Sequence, residues 1–148
     1  MQTTNLAKVG VMSIPDRPGT AGRVLEALGK KGINVQFIVQ CIDILDNDHV
    51  VFCISQENME LAQEILEDVR RELGAEKVIQ RPNVAIISIF GSDFRERPGV
   101  AGEMFSALGS RGINILAIST SISTMSCVID AGRLEEAVTA MRETFELP

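Results

Sequence analysis

The hydrophobic positions in the first half of the chain predict strands and helices in the order βαββαβ. Val9–Ile14 is a short run rich in β-branched residues, which is typical of a strand. Apolar residues recur at helical spacing through Ala21–Leu28, and Gly32 follows as a stop, so we expect a helix of about three turns. Val35–Cys41, with its odd-numbered residues on one face, and His49–Ser55 predict two further strands around a polar turn.

A second helix and a fourth strand complete this half. Asn58 is expected to cap the helix, whose apolar positions continue as far as Leu73, and Gly74 is expected to end it. Glu76–Gln80 predicts a short fourth strand. The second half predicts the same elements, except for the last strand, at Val84–Phe90, Val100–Ser110, Ile113–Thr120, Met125–Asp130 and Arg133–Phe145.

The two halves are copies of each other. Arg17–Gln40 aligns with Arg97–Thr120 without gaps, and 12 of the 24 positions are identical. A βαββαβ unit folds into a four-stranded antiparallel sheet with both helices on one face. The sequence therefore predicts an α+β fold of two ferredoxin-like domains, residues 7–81 and residues 82–148. Only Gln2–Leu6 is left to supply the second fourth strand, so we expect residues 1–6 to complete the second domain.

Composition and charge exclude several classes of function. The 148-residue chain has a net charge of −6, which argues against nucleic acid and anionic membrane surfaces as partners. Its longest apolar run is far short of the ~20 residues that span a bilayer, and the location is expected to be cytoplasmic. Three cysteines in apolar runs predict buried, reduced thiols. With one histidine, His49, and no phosphate-binding or metal-binding motif, we expect no catalytic residue, no metal and no cofactor.

The duplicated Pro-Gly turns are the candidate binding sites. In each copy a helix begins after the turn, and its free N–H groups attract a carboxylate. Gly19 and Gly99 leave the backbone uncovered, and Asp16 could receive an ammonium group, so the turn suits an amino acid zwitterion. The alternative is that these turns, and Asn34 and Asn114 before the next strands, are structural only.

Several segments resemble the regulatory region of aspartate kinase. Asp16–Gly19, Ile33–Val35 and Ile38–Gln40 resemble its first ACT domain, and Ser119–Ser121 followed by Ser126–Asp130 resembles its second. The resemblance covers essentially the whole chain. It implies a regulatory pair of ACT domains that binds lysine, threonine or both, and that inhibits a kinase domain. It also implies that two chains pair with effector sites at their interfaces, and that a strand from before the first domain completes the second.

The resemblance also implies site residues. Those of the first domain are Asp16, Gly19, Thr20, Ala21, Asn34, Val35 and Gln40, and those of the second are Gly99, Val100, Ala101, Asn114, Ile115, Ser119 and Thr120. Three positions depart from the family: Gln36 replaces a common Asp, Cys41 a usual Asn and Ile122 a usual Glu. Because a carboxylate is missing at Ile122, threonine is favoured over lysine as the ligand.

The leading hypothesis is a non-catalytic, amino-acid-binding regulatory module that forms a homodimer and has an aspartate kinase catalytic subunit as a candidate partner. Whether the chain is a free β-type subunit, a stand-alone regulator of another protein or a fragment stays open. A second hypothesis is a ligand-free ACT dimerisation module. A small enzyme is a third, which the residue inventory favours least.

Overall fold

The computed structural model describes residues 2–91 and 94–145, which divide into two compact units. The N-terminal unit comprises residues 6–82. The C-terminal unit comprises the chain from Asn83 onwards together with the N-terminal segment through Asn5. These divisions lie one residue from the predicted bounds. Leu6 belongs to the N-terminal unit, because it pairs with Ser55 there and its side chain is buried.

Four strands and two helices form the N-terminal unit in the predicted order. They are β1 (Gln2–Pro15), α1 (Thr20–Gly29), β2 (Gln36–Ile42), β3 (Asn47–Ser55), α2 (Met59–Leu73) and β4 (Lys77–Phe90). The strands lie in the order β2-β3-β1-β4, and β3 pairs antiparallel with both β1 and β2. This is the ferredoxin-like arrangement that the hydrophobic pattern predicted.

The C-terminal unit shares two strands with the N-terminal one, since β1 and β4 each run through both. Its further elements are α3 (Val100–Ser110), β5 (Ala117–Thr120), β6 (Thr124–Asp130) and α4 (Leu134–Phe145). Its strands lie in the order β1-β4-β6-β5. The N-terminal segment therefore supplies the fourth strand, which confirms the prediction. Short 3₁₀ turns at Gln56–Asn58, Phe94–Glu96 and Ala131–Arg133 precede the last three helices.

Each unit has its own hydrophobic core beneath its two helices. The first core joins residues of β1, β3, α1 and α2, including Val9, Leu28, Phe52 and Leu66. The second joins residues of β4, β6, α3 and α4, including Ile87, Leu108, Cys127 and Met141. Leu28 and Leu108 occupy the same repeat position and are both fully buried. Each core fixes the start of a helix, α1 or α3, against its own sheet.

The helix ends follow the sequence signals in part. Gly74 adopts a left-handed conformation with φ 72° after α2, as expected, and the N–H of Ala75 closes the end by donating to the Arg70 carbonyl at 2.9 Å. Asn58 makes no side-chain capping bond. The expected cap is wrong, because the 3₁₀ turn leads directly into α2 and replaces it.

The alternation predicted for β2 is interrupted by a bulge. Phe37 has a positive φ of 56°, and the register with β3 shifts between Gln36 and Val39. Cys41, near the end of β2, is exposed, which corrects the prediction of three buried cysteines. Burial raises the pKa of the Cys53 thiol to about 11 and that of Cys127 to about 12, so these two stay protonated and unreactive.

Candidate functional site

The two predicted turns have the same backbone geometry. Gly19 has φ 93° and Gly99 has φ 90°, a left-handed conformation that residues with a Cβ disfavour. Each glycine is the N-cap residue of its helix, and an added Cβ would meet no atom within 4 Å at either position. The outer side of each turn is therefore open to a ligand.

The first turn of each helix presents backbone N–H groups that no side chain caps. The first intrahelical bonds run from the N–H of Arg23 to the Gly19 carbonyl and from the N–H of Glu103 to the Gly99 carbonyl, both at 2.9 Å. The N–H groups of residues 20–22 and 100–102 precede this bonding, so they are left for another acceptor. Together with the helix dipole they favour a carboxylate.

A buried carboxylate lies behind the turn of the N-terminal unit. Asp48, the second residue of β3, is fully buried, and its Oδ2 accepts a hydrogen bond from the Thr20 hydroxyl at 2.9 Å. Its Oδ1 has no hydrogen-bond partner within the described part of the chain. Thr20 is among the predicted site residues, whereas Asp48 falls in the segment that the sequence predicts as a polar turn.

Asp16 lies exposed at the opening of this site. Its backbone N–H donates to the Asp46 carbonyl at 3.1 Å, which ties the turn to the loop before β3. Its carboxyl pKa is raised above the ordinary value, first by a hydrogen bond to the Asp48 side chain, then by desolvation and by the negative charges of Asp48 and Asp46. We call Asp16 and Asp48 the acidic pair.

Asp43 shapes the loop that leads into β3. Its Oδ1 accepts the backbone N–H groups of Leu45 at 2.8 Å and of Asn47 at 3.1 Å. Its Oδ2 lies 2.9 Å from Nε2 of His49. The bond with His49 is the main reason that the pKa of Asp43 is lowered, and the two backbone bonds lower it further. This network fixes the position at which Asp48 enters the sheet.

His49, the single histidine of the chain, is engaged through both ring nitrogens. Its Nδ1 accepts the backbone N–H of Ser13 at 3.1 Å, so in the neutral ring the proton is on Nε2 and points to Asp43. Both ring nitrogens of His49 are therefore occupied by contacts within the N-terminal unit. Ser13 has a positive φ of 53° at a bulge in β1, and His49 stabilises that bulge.

The turn of the C-terminal unit faces a pocket. This pocket has a volume of about 580 Å³, and four predicted residues, Gly99, Val100, Ala101 and Thr120, line it. The other walls are mainly apolar, from Phe94, Ile122 and Met125, and Arg97 supplies a positive charge. The helix start offers a position for a carboxylate beside this apolar wall, and the Arg97 guanidinium lies 3.9 Å from the Glu103 carboxylate.

The remaining predicted residues lie apart from these contacts. In the N-terminal unit, Asn34 and Gln40 are exposed and Val35 packs against the core. In the C-terminal unit, Asn114 is exposed and Ile115 packs against the core. Ser119 pairs in register with Ser126. Among the described residues, no hydrogen bond joins any of them to the turns.

Two further findings concern the residues that the structure describes. They contain no group of three or more side chains that could hold a metal ion. None of their helices is long and apolar enough to cross a membrane.

The chain matches the ACT domain family twice. The family profiles match residues 9–74 and residues 87–145. Among curated relatives, the chain is 37% identical over 143 residues to an aspartokinase of Thermus thermophilus, covering 95% of this chain and 35% of that protein. The chain thus spans about a third of the length of the curated relatives it matches.

Two solved structures resemble the chain over nearly their whole length. The ligand-free regulatory subunit of aspartate kinase from Thermus thermophilus is 35% identical with a TM-score of 0.87, covering 98% of this chain and 95% of that one. A structure of aspartokinase alpha and beta subunits is 30% identical with a TM-score of 0.90, covering 99% and 97%. The first is a regulatory subunit, which has the same two-unit fold.

Proposed function

Because the chain belongs to the ACT domain family, in the tandem form found in regulatory subunits of aspartate kinase, we propose that it binds an amino acid and regulates an aspartate kinase. It acts without catalysis of its own, through a catalytic subunit in the cytoplasm. The observation that carries this proposal is the match to a solved regulatory subunit of aspartate kinase, which covers 98% of this chain and 95% of that one.

The geometry of the two turns supports an amino acid as the ligand. Each turn leaves the N–H groups of a helix start uncapped, which suits the carboxylate of the ligand. In the N-terminal unit, the acidic pair suits its ammonium group. Threonine is favoured over lysine, because Ile122 lines the C-terminal pocket where a side-chain ammonium would need a carboxylate.

The other predicted residues act where two chains meet. Asn34, Gln40 and Asn114 are exposed in the single chain, so they are available to complete a site against a second copy. The strands β2 and β5 stand at the ends of their units' strand orders and expose apolar side chains, Ile38 and Ile42 on β2 and Ile118 on β5. Exposed edges of this kind favour pairing with another chain, here as a homodimer.

Calorimetric titration tests ligand binding, because the chain has no Trp or Tyr for fluorescence. The purified chain is titrated with threonine, lysine, methionine and isoleucine, and we expect threonine to bind most tightly. It is then mixed with an aspartate kinase catalytic subunit, whose turnover should become sensitive to that amino acid. The chain alone should transfer no phosphoryl group to aspartate.

Three results would contradict the proposal. If none of the four amino acids produces binding heat, the ligand-free dimerisation module becomes the better description. If the catalytic subunit neither binds the chain nor changes its response, the regulatory role fails. Sedimentation that shows a monomer at micromolar concentration, with and without amino acids, removes the homodimer.

A further inference from the structure

The pocket beside the helix-opening turn of the C-terminal unit has a mainly apolar wall. Large apolar side chains from three places meet there: Phe94 before α3, Ile122 between β5 and β6, and Met125 of β6. Ile122 is 64% exposed although it lines a pocket. The volume of about 580 Å³ lies within the range of small-molecule sites. An apolar side chain left exposed in such a pocket indicates a surface that a ligand covers.

Local contacts of the C-terminal unit hold this wall in place. The N–H of Ser121 donates to the Thr124 carbonyl at 2.8 Å. The N–H of Gly91, just after β4, donates to the Ser123 carbonyl at 2.9 Å, so the segment between β5 and β6 is bonded on both sides. Phe94 packs against Gly91, where an added Cβ would collide with its ring. The wall is therefore formed before a ligand arrives, which lowers the entropic cost of binding.

The polar groups of the pocket suit a carboxylate but not a cationic side chain. Among the lining residues that the structure describes, Arg97 is the single charged one, and the hydroxyls of Thr120 and Ser121 are the other polar side-chain groups. The uncapped start of α3 supplies N–H groups for the carboxylate of the ligand. A side-chain ammonium group would find no acidic residue in this wall, whereas an apolar side chain would find a dry surface to cover.

The N-terminal unit differs at the matching position of the repeat. There the Thr20 hydroxyl donates to the buried Asp48 carboxylate at 2.9 Å. Val100 stands in the place of Thr20 in the C-terminal unit, and it lines the pocket with an apolar side chain. The two units therefore place different chemistry beside the same helix start.

We propose that the pocket of the C-terminal unit binds a second amino acid effector, one with an extended apolar side chain, and that Ile122 is the specificity-determining residue. The inference rests on the proposed function and adds the class of side chain that this unit accepts. A longer apolar side chain covers more of Ile122 and Phe94, so affinity rises with its length. Threonine remains the ligand of the N-terminal unit, and the chain responds to two different amino acids.

The first test measures affinity at this pocket alone, by NMR of a chain whose methionine methyl groups carry ¹³C. The Met125 signal is assigned by its loss in Met125→Leu, and Met12 of the N-terminal unit is the reference. The chain is titrated with alanine, 2-aminobutyrate, norvaline and norleucine, whose side chains grow by one methylene at each step. We expect the Met125 signal to shift, the Met12 signal to stay, and affinity to rise about fourfold with each methylene.

Matched variants test the role of Ile122. Ile122→Ser should keep the fold, because the side chain is exposed, and should weaken norleucine binding by about tenfold. It should leave the weak binding of alanine unchanged, because alanine has a single methyl group to bury. Ile122→Leu, which retains the apolar surface, should restore the dependence on side-chain length. Ile44→Ser removes an exposed isoleucine of the N-terminal unit and should bind norleucine like the wild type.

Calorimetric titration with threonine separates this inference from the proposed function. If threonine binds but norleucine leaves the Met125 signal unmoved, or if affinity is equal along the series, the inference is wrong and the proposed function stands. Equal norleucine affinity in Ile122→Ser and the wild type also overturns it. If no amino acid binds to either unit, both fail. A Met125 shift with norleucine, in a chain that does not affect an aspartate kinase catalytic subunit, supports the inference and removes the regulatory role.

Discussion

Gly19 and Gly99 share a backbone conformation, whereas the residues that follow them, Thr20 and Val100, face different surroundings. Thr20 is hydrogen-bonded to a buried carboxylate of β3. Val100 lines an open, mainly apolar pocket. The duplication has therefore preserved the helix start that suits a carboxylate and has varied what lies next to it. The two units therefore offer the same backbone N–H groups to a ligand. They differ in the side chains beside the turn, which determine which ligand fits.

The largest expected effect on stability concerns the two hydrophobic cores, which are separate. Leu28→Ala and Leu108→Ala each remove a fully buried side chain at the same repeat position, and each should lower the free energy of unfolding by about 2–5 kcal/mol. Amide hydrogen exchange should show that protection is lost first in the unit that carries the substitution. Leu61→Ala, on the exposed side of α2, is the control and should cost much less. Equal loss of protection in both units would mean that they unfold as one.

The two units depend differently on strand β1, because its first residues belong to the C-terminal unit and the rest to the N-terminal unit. Deletion of residues 1–5 removes the strand segment of the C-terminal unit and leaves Leu6 and the N-terminal unit intact. We expect a loss of a few kcal/mol, as when buried backbone pairing is removed, with exchange faster in β4 and β6 than in β2. Replacement of Thr3 and Thr4 by Val keeps the backbone bonds and serves as the control. An unchanged melting temperature after the deletion would contradict the pairing.

Because the two turns have the same backbone conformation, the same substitution should lower the stability of each unit by the same amount. Gly19→Ala and Gly99→Ala place a Cβ on a left-handed residue, which should cost about 1–2 kcal/mol in each unit. Gly22→Ala and Gly102→Ala are the controls, because both lie within helices and have open space, and each should stabilise by up to about 1 kcal/mol. Urea unfolding measures all four. A clear difference between the first two variants would show that the turns are not equivalent.

The features that the sequence predicted well are those with local causes. The helical spacing of apolar residues and the glycine that follows them predict α2. The alignment of the two copies predicts α3, because α3 occupies the repeat position of α1. The missing last strand could be assigned to the N-terminal segment because no other part of the chain was left. The bulge at Phe37 has no comparable signal, since it depends on the register between β2 and β3.

Asp48 illustrates why part of the candidate site in the N-terminal unit was not predicted. Asp46, Asn47 and Asp48 together have the composition of a turn, and turn residues are usually exposed. The structure instead starts β3 at Asn47 and buries Asp48, because a hydroxyl 28 residues earlier in the chain meets it. A contact between residues so far apart leaves no periodicity in the sequence. Only the identity of Thr20, where the second copy has Val100, hints at it.

The smallest expected effect concerns Asp16 and the pH dependence of stability. Its pKa is raised above 3.8 in the folded chain, mainly by its hydrogen bond to Asp48, so the folded state holds more protons than the unfolded state just above that pH. Stability should therefore fall as the pH rises through this window, and Asp16→Asn should remove the fall. We expect the variant to melt at a higher temperature than the wild type at pH 7, with the difference vanishing near pH 3.

Asp43 provides a control of opposite sign in the same region. Its pKa is lowered by His49 and by two backbone N–H groups, so its contribution to stability is present above its ordinary pKa and is lost as the pH falls. Asp43→Asn should therefore melt at a lower temperature than the wild type at pH 7, and the two should converge in acid. If Asp16→Asn behaved like Asp43→Asn, the two carboxyl groups of the acidic pair would not repel each other. The distinction drawn between the two helix-opening turns would then lose its electrostatic basis.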